Sequence, residues 1–313
     1  MALSLSGPAH GTGMNAPAPH PDILCVGSVL WDVIGRSAAQ MRLGSDVPGR
    51  ISRLPGGVAM NIAMTLARFG LRPGVLTAIG RDAEGDELIA AAEALGVITA
   101  FAYRSDDLPT DRYMAIEGAN GLIAAIADAH SLEAAGAKIL APLSDGRLGH
   151  AAAPWAGPVA LDGNLTVALL DQIASSPVFS AADLRVAPAS PGKAERLLPF
   201  LRHARATLYV NLEEAGILCQ AHFPESREAA EALVARGAAR ALVTDGARDS
   251  TDACADAAPL TRPAREVQVA RVTGAGDTFM AAHIVAETRG ADRMAALAQA
   301  QDAAAAHVAG EVA

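Results

Sequence analysis

The chain has 313 residues, 25 of them basic and 34 acidic, for a formal net charge of −9, and 51% are apolar. That apolar content excludes an intrinsically disordered chain, and the acidic balance argues against a general nucleic-acid binder, whose polyanionic partner would be repelled. The length suits one large α/β domain, or two smaller ones, with enough core to be stable without cross-links.

Residues 1–21, rich in Ala, Gly, Pro and Ser, read as a loose tail, without the basic start and long apolar stretch of a signal peptide. Residues 23–29 form a short apolar run suited to a buried strand. Ile62, Leu66 and Phe69 lie on one helical stripe that Gly70 terminates. Residues 75–79 read as a strand, and 84–95 as a helix with Leu88, Ala91, Ala92 and Leu95 turned inward. Further strands are expected at 139–143, 159–161, 184–186, 208–210 and 241–244, and a last long helix from near Gly276 to about Thr288. This alternation predicts a doubly wound, mainly parallel sheet flanked by helices, in one domain over 22–313. Residues 36–55 and 100–127 break the rhythm with short strands and few helix signals. In the second segment, residues 113–117 and 122–126 flank Gly118-Ala119-Asn120-Gly121, a hairpin turn of the Asn-Gly type. Together the two segments predict a small β-flap, or lid, over one end of the sheet.

No apolar run approaches the ~18 residues of a membrane helix. Cys25, Cys219 and Cys254 are widely spaced, form no C-x-x-C and match no zinc spacing with the histidines. They read as free thiols in a reducing compartment, so a soluble cytoplasmic protein is expected, with no membrane or nucleic-acid partner.

The most informative stretch joins an apolar alternation (Val267, Val269) to Thr273, then to Gly274-Ala275-Gly276-Asp277 and a run of small residues. A strand, a glycine turn and a helix start would direct backbone N–H groups at an anion such as phosphate. Asp277 beside that anion would accept the proton of an attacking hydroxyl; the other reading is an ordinary acidic residue in a first helical turn. Pro55-Gly56-Gly57-Val58-Ala59-Met60-Asn61 is a second glycine turn feeding a helix, with Asn61 placed to hydrogen-bond hydroxyls. Gly-x-x-x-x-Gly-Lys-Ser/Thr and Gly-x-Ser-x-Gly motifs are absent, which excludes a Walker-type phosphate loop and a hydrolase elbow. His283 reads as a packed helix residue rather than a ligand. Trp31 reads either as a base-stacking platform or as a packed side chain.

Taken together, the two glycine turns resemble the two signatures of the PfkB (ribokinase-like) family of sugar and nucleoside kinases. Asn211-Leu212-Glu213-Glu214 is similar to that family's N-x-x-E element, and Val26-Gly27-Ser28 followed by Asp32 to its opening strand. The resemblance spans about residues 22–308. It implies ATP and Mg²⁺ as cofactors, with a monovalent cation such as K⁺ as a further candidate. By the same resemblance Asp277, Gly274, Ala275 and Gly276 are catalytic, and Asp32, Gly56, Gly57, Asn61 and Asn164 hold substrate. Lys193, Asn211, Thr244, Gly246 and Thr273 fall on the nucleotide side, with Glu214 and Asn211 toward the metal through water. A homodimer through the β-flap is implied by analogy.

Within the family the wording is similar to the pseudouridine kinases at 45–51 (Ser-Asp-Val-Pro-Gly-Arg-Ile), at 110–113 and 123–128, at Asp162-Gly163-Asn164-Leu165 and at Ser190-Pro191-Gly192-Lys193. The implied reaction is phosphorylation of the 5′-hydroxyl of a ribosyl compound, pseudouridine first. The alternatives are another ribokinase-like kinase (for ribose, a 2-keto-3-deoxy sugar acid or adenosine) and a non-catalytic nucleoside-binding regulator. The last is prompted by Ala187 and Asp249, where the family usually has Asp and Gly. Leu30 stands where the subgroup often has Asn.

Overall fold

The structure, a computed structural model, describes residues 20–42, 44 and 46–311. The expected tail therefore lies outside the described residues up to Pro19, as does Ser45 of the 45–51 stretch. His20 and Pro21 are already part of the fold: the His20 ring stacks on Trp155 at 5.4 Å, and Pro21 is buried.

The first strands are β1 (Ile23–Val26), β2 (Leu30–Arg36) and β3 (Arg50–Gly56), followed by helix α1 (Val58–Arg68). Next come β4 (Pro73–Leu76), β5 (Ala78–Gly80), α2 (Ala83–Ala94), β6 (Tyr103–Ser105), β7 (Arg112–Gly118) and β8 (Gly121–Asp128). The middle of the chain holds α3 (His130–Ala135), β9 (Pro158–Asp162), α4 (Val167–Ser175), β10 (Asp183–Ala187), β11 (Ala206–Asn211) and α5 (Leu212–Cys219). It closes with α6 (Ser226–Ala235), β12 (Arg240–Thr244), β13 (Asp249–Cys254), β14 (Ala257–Pro263), α7 (Ala275–Thr288) and α8 (Arg293–Ala309).

Eight strands form the main sheet in the order β14-β13-β12-β11-β10-β9-β1-β4. It is parallel from β4 to β12 and antiparallel over β12, β13 and β14. Side chains alternate between two cores, as a strand period of two requires. Leu24, Val26, Leu208 and Val210 face α3, α4, α5 and α6, while Ile23, Cys25 and Tyr209 face α1, α2, α7 and α8. Helix α7 is buried from Thr278 to Ala286, which its small residues permit in the crowded layer between α1, α8 and the sheet.

The flap is a separate four-stranded sheet, β3-β2-β7-β8, whose β7–β8 hairpin turns through Ala119 and Asn120 between the paired Gly118 and Gly121. Gly121 is at φ 93° but Asn120 is not at positive φ, so the hairpin forms without the expected Asn-Gly turn type. Its extent differs from the expectation. Residues 30–36 join it as β2, while 103–105 leave it to pair with β5 in a two-stranded sheet.

Four further expectations change. The apolar run 139–143 is not a strand but part of a buried 3-10 helix, Gly136–Leu143. Pro142, which cannot donate to a ladder, sits inside it, and an apolar run of that length does not separate strand from buried helix. The strand expected at 75–79 divides at Thr77 into β4 and β5, which belong to different sheets. Residues 264–273 form no strand before the glycine turn: β14 ends at Pro263, and Val269 and Val272 are exposed. Finally α7 runs where the last long helix was expected, but α8 follows it and is longer.

Candidate active site

The site lies at the C-terminal ends of the parallel strands, where ligands of open α/β sheets collect. Ser28 follows β1, Asp162 ends β9, Asn211 ends β11 and Thr244 ends β12. The glycine turns close in from the other side.

Gly56 and Gly57 are there for lack of room. A Cβ on Gly56 would sit 2.0 Å from Asp32 Oδ2, and one on Gly57, at φ +92°, would sit 2.5 Å from the Ser28 carbonyl oxygen. That close approach lets the Val58 amide donate to Ser28 Oγ (3.0 Å) and aims α1 into the cleft. From the first turn of α1, Asn61 Nδ2 donates to Asp277 Oδ2 at 3.0 Å.

Asp162 is a site residue whose role the sequence left unread. It is fully buried and accepts from the Ser28 amide (2.9 Å), Ser28 Oγ (2.5 Å), the Asn164 amide (2.8 Å) and Asn164 Nδ2 (3.2 Å). Asn164 Nδ2 also donates to Ser28 Oγ (3.1 Å), and its Oδ1 accepts from Lys193 Nζ. Lys193, expected on the nucleotide side, thus stands with Asn164, expected on the substrate side. Burial holds its ammonium below the usual lysine range.

Three carboxyl groups here are desolvated without a basic partner. Burial pushes Asp32 up to about 6; among the described residues no donor reaches its carboxylate. Burial pushes Asp277 up to about 7 although Asn61 donates to it, and the fields of Asp162 and Glu214 add to the rise. Glu214, 6% exposed, is likewise pushed up to about 7 by burial, with Glu213 contributing. A carboxylate poised near neutrality is what general-base chemistry requires.

Asn211 and Glu214 form a capping box at the start of α5. Asn211 Oδ1 accepts from the Glu214 amide and Glu214 Oε2 from the Asn211 amide, each at 2.8 Å. The N-x-x-E spacing therefore has a local structural role as well. Among the described residues no three His, Cys, Asp or Glu side chains form a metal cage. The donor set fits a divalent cation approached through water, whose charge would relieve the crowded carboxylates.

The turn before α7 differs in one respect from an open row of amides. The Ala275 amide is engaged by the Val272 carbonyl at 3.1 Å, so among its first-turn donors only those of Gly276 and Asp277 lack a backbone acceptor. Thr244, Gly246, Ala275 and Gly276 line two adjoining cavities, of about 780 and 470 Å³. Asn211 borders the larger. The smaller is closed by the irregular 264–272 segment together with Phe279, Gln301 and Val308; of these only Val267 and Val269 carried a sequence signal, and that signal was for a strand. Asp249 is exposed at the head of β13 and borders neither cavity.

His283 lies outside the site. It is fully buried, with Nδ1 2.8 Å from the Tyr209 hydroxyl, and burial holds it down at about 4. Trp31 is packed: Nε1 donates to the Glu84 carbonyl (2.9 Å), and the Arg53 guanidinium lies over its ring at 4.1 Å.

A family profile described as pfkB family carbohydrate kinase matches residues 20–311. An uncharacterized sugar kinase, YeiI, of Escherichia coli is 32% identical over 197 residues, 62% of this chain and 51% of that protein. The pseudouridine kinase of the same organism is 36% identical over 75 residues, 24% of each chain. The chain thus matches about half and about a quarter of the length of these two relatives. Among solved structures, a carbohydrate kinase from Agrobacterium tumefaciens superposes with a TM-score of 0.75 at 26% identity, covering 90% of this chain and 89% of that one. Ribokinase from Arabidopsis thaliana, complexed with ribose and ATP, gives 0.74 at 21% identity and 93% coverage of both. The fold is ribokinase-like.

Proposed function

The chain belongs to the pfkB family of carbohydrate kinases, and from that premise we propose that it transfers the γ-phosphoryl group of ATP to the 5′-hydroxyl of a ribosyl compound, pseudouridine. The observation that carries the transferase chemistry is Asp277: a carboxylate near neutrality, oriented by Asn61 and adjacent to two free amides at a helix start.

In this reading the acceptor lies between main sheet and flap, with its hydroxyls on Asp32, the Gly57 turn and Asn164. Asp277 takes the proton of the attacking hydroxyl, and the amides of Gly276 and Asp277 stabilise charge on the transferring phosphoryl group. Nucleotide occupies the cavities beside Thr244 and Gly246. Glu214 and Asn211 would hold Mg²⁺ through water, and bound there it supplies charge neutralisation at the β- and γ-phosphates. Flap closure excludes water and suppresses ATP hydrolysis.

The choice of pseudouridine is supported by the 75-residue likeness to pseudouridine kinase and by the residues at 45–51, 110–128 and 164. The longer likeness to a sugar kinase favours a second reading, a carbohydrate acceptor. The test is ADP release from ATP with pseudouridine, uridine, adenosine, ribose and 2-keto-3-deoxygluconate, with and without Mg²⁺ and K⁺. A higher kcat/KM for any other acceptor sinks the pseudouridine assignment; no ADP release with any of them sinks the kinase reading.

The β-flap supports a further reading, a homodimer. It exposes Ile51 (80%), Leu54 (55%), Leu122 (59%) and Ile126 (68%), apolar surface that a second flap would cover.

A further inference from the structure

An α-helix begins at Ala275 with Gly274 as its N-cap, and its first hydrogen bond runs from the Thr278 amide to the Gly274 carbonyl. Started one residue earlier, at Gly274, it would spend the Asp277 amide on the carbonyl of Thr273. Here that carbonyl is taken by another group: His307 Nε2, in the last turn of α8, lies 2.8 Å from Thr273 O. The ring sits directly beneath the glycine turn. A Cβ on Gly274, which is at φ +85°, would stand 3.2 Å from Nε2, so the glycine and the imidazole share one space.

The partners of His307 define its tautomer. The Arg271 guanidinium, which can only donate, places Nη2 3.3 Å from His307 Nδ1, and Thr278 Oγ1 lies 3.2 Å from the same atom. Nδ1 therefore accepts and Nε2 carries the proton that Thr273 O, a pure acceptor, requires. Burial and the nearby Arg271 and Arg68 hold the ring below its ordinary range, which keeps it neutral. Arg271 Nε also donates to the His307 carbonyl (3.2 Å), and the Ala270 and Arg271 amides donate to Val308 O at 2.8 and 3.1 Å. The C-terminal end of α8 is thereby laced to the segment that leads into the turn.

We propose that His307 is a positioning residue for phosphoryl transfer: by holding the Thr273 carbonyl against α8, it stops α7 from starting one residue earlier and so keeps the Asp277 amide free for an anionic phosphoryl group. His307 touches neither substrate nor the reacting atoms. It acts through the peptide of Thr273, and without its N–H the carbonyl is free to swing toward the start of α7 and occupy the amide itself. The inference rests on the kinase reading above.

The test compares His307→Gln, which keeps an N–H donor at similar reach, with His307→Met, which has similar length and no donor. Steady-state kinetics are measured with ATP and the best acceptor of the panel, and calorimetry with Mg²⁺ and the non-hydrolysable analogue AMP-PNP. The expected result for His307→Met is a kcat lower by about 10²- to 10³-fold, the scale of losing an anion-hole donor. AMP-PNP binding should weaken about tenfold, while KM for the acceptor stays within about twofold. His307→Gln should recover most of both losses. Wild-type kcat and AMP-PNP affinity in His307→Met overturn the proposal, as does a His307→Gln variant that folds normally yet is equally impaired. If His307→Met does not fold, His307→Gln decides alone: near-wild-type kcat supports the role, and a hundredfold loss ends it. A wild type that binds AMP-PNP but phosphorylates no acceptor defeats the kinase reading, and the affinity comparison still judges His307.

Discussion

Asn61 and Asp277, 216 positions apart, are joined by one hydrogen bond of 3.0 Å in which the amide Nδ2 donates to the carboxylate Oδ2. It connects the helix that follows the first glycine turn to the helix that follows the second. Its electrostatic direction is definite: the donor favours the charged carboxylate and partly offsets the burial that raises Asp277.

Asn61→Leu should therefore move the acid limb of the kcat profile to higher pH, because Asp277 loses its one hydrogen-bonding donor among the described residues and is protonated more readily. At pH 7 the rate should fall by about tenfold, and it should recover toward wild type by pH 9. A proportional loss across the whole pH range would show that Asn61 does not tune the base.

Asp277→Asn preserves shape and removes the proton acceptor, so kcat should fall by about 10²–10⁴-fold with AMP-PNP binding retained. The same variant carries a stability signature. A carboxyl that ionises at about 7 in the fold, and near 3.8 in the unfolded chain, penalises the ligand-free fold once pH exceeds the lower value. The Tm advantage of Asp277→Asn over wild type should be absent near pH 4, grow between pH 4 and 7, and be constant above. Urea or thermal melts at pH 4, 6 and 8 check the sign.

Gly56→Ala places a Cβ 2.0 Å from Asp32 Oδ2. The carboxylate is the movable partner, so it should swing out of the cleft rather than unfold the chain. KM for the acceptor is expected to rise by about tenfold or more with KM for ATP unchanged. Equal increases in both would mean that Asp32 does not serve the acceptor side.

Glu214→Gln keeps the capping box with Asn211 but removes the charge. The Mg²⁺ concentration for half-maximal rate should increase severalfold, and Tm in the absence of ligand should rise at pH 8. An unchanged Mg²⁺ dependence removes Glu214 from the metal side.

Replacing Leu122 and Ile126 with Asp, on the exposed flap, should shift the species seen in sedimentation from dimer to monomer while the far-UV CD spectrum stays that of the folded protomer. A wild type that sediments as a monomer ends that reading.

The parts of this protein legible in its sequence are those whose chemistry is contiguous. Gly56-Gly57, Gly274-Ala275-Gly276-Asp277 and Asn211-Leu212-Glu213-Glu214 each encode a helix start within a few residues, so their identities and their order along the chain announced the family and its α/β fold. The β7–β8 hairpin was legible for the same reason, since the φ of 93° at Gly121 is a local demand, although its loop is Ala119-Asn120 rather than Asn120-Gly121. What tertiary structure decided is non-local. The apolar run at 139–143 has the composition of a strand, and only Pro142 and its packing as a 3-10 connector make it otherwise. Lys193 joins Asn164 because β9 and β10 lie side by side, and His307 reaches Thr273 because α8 folds back against α7. Asp162 stood in the sequence only as the first residue of the Asp162-Gly163-Asn164-Leu165 stretch, with no role of its own, yet burial against Ser28 makes it a hub of hydrogen bonds. A side chain's type is written in the sequence, but the desolvation that raises Asp277 and Glu214 depends on every element packed around them.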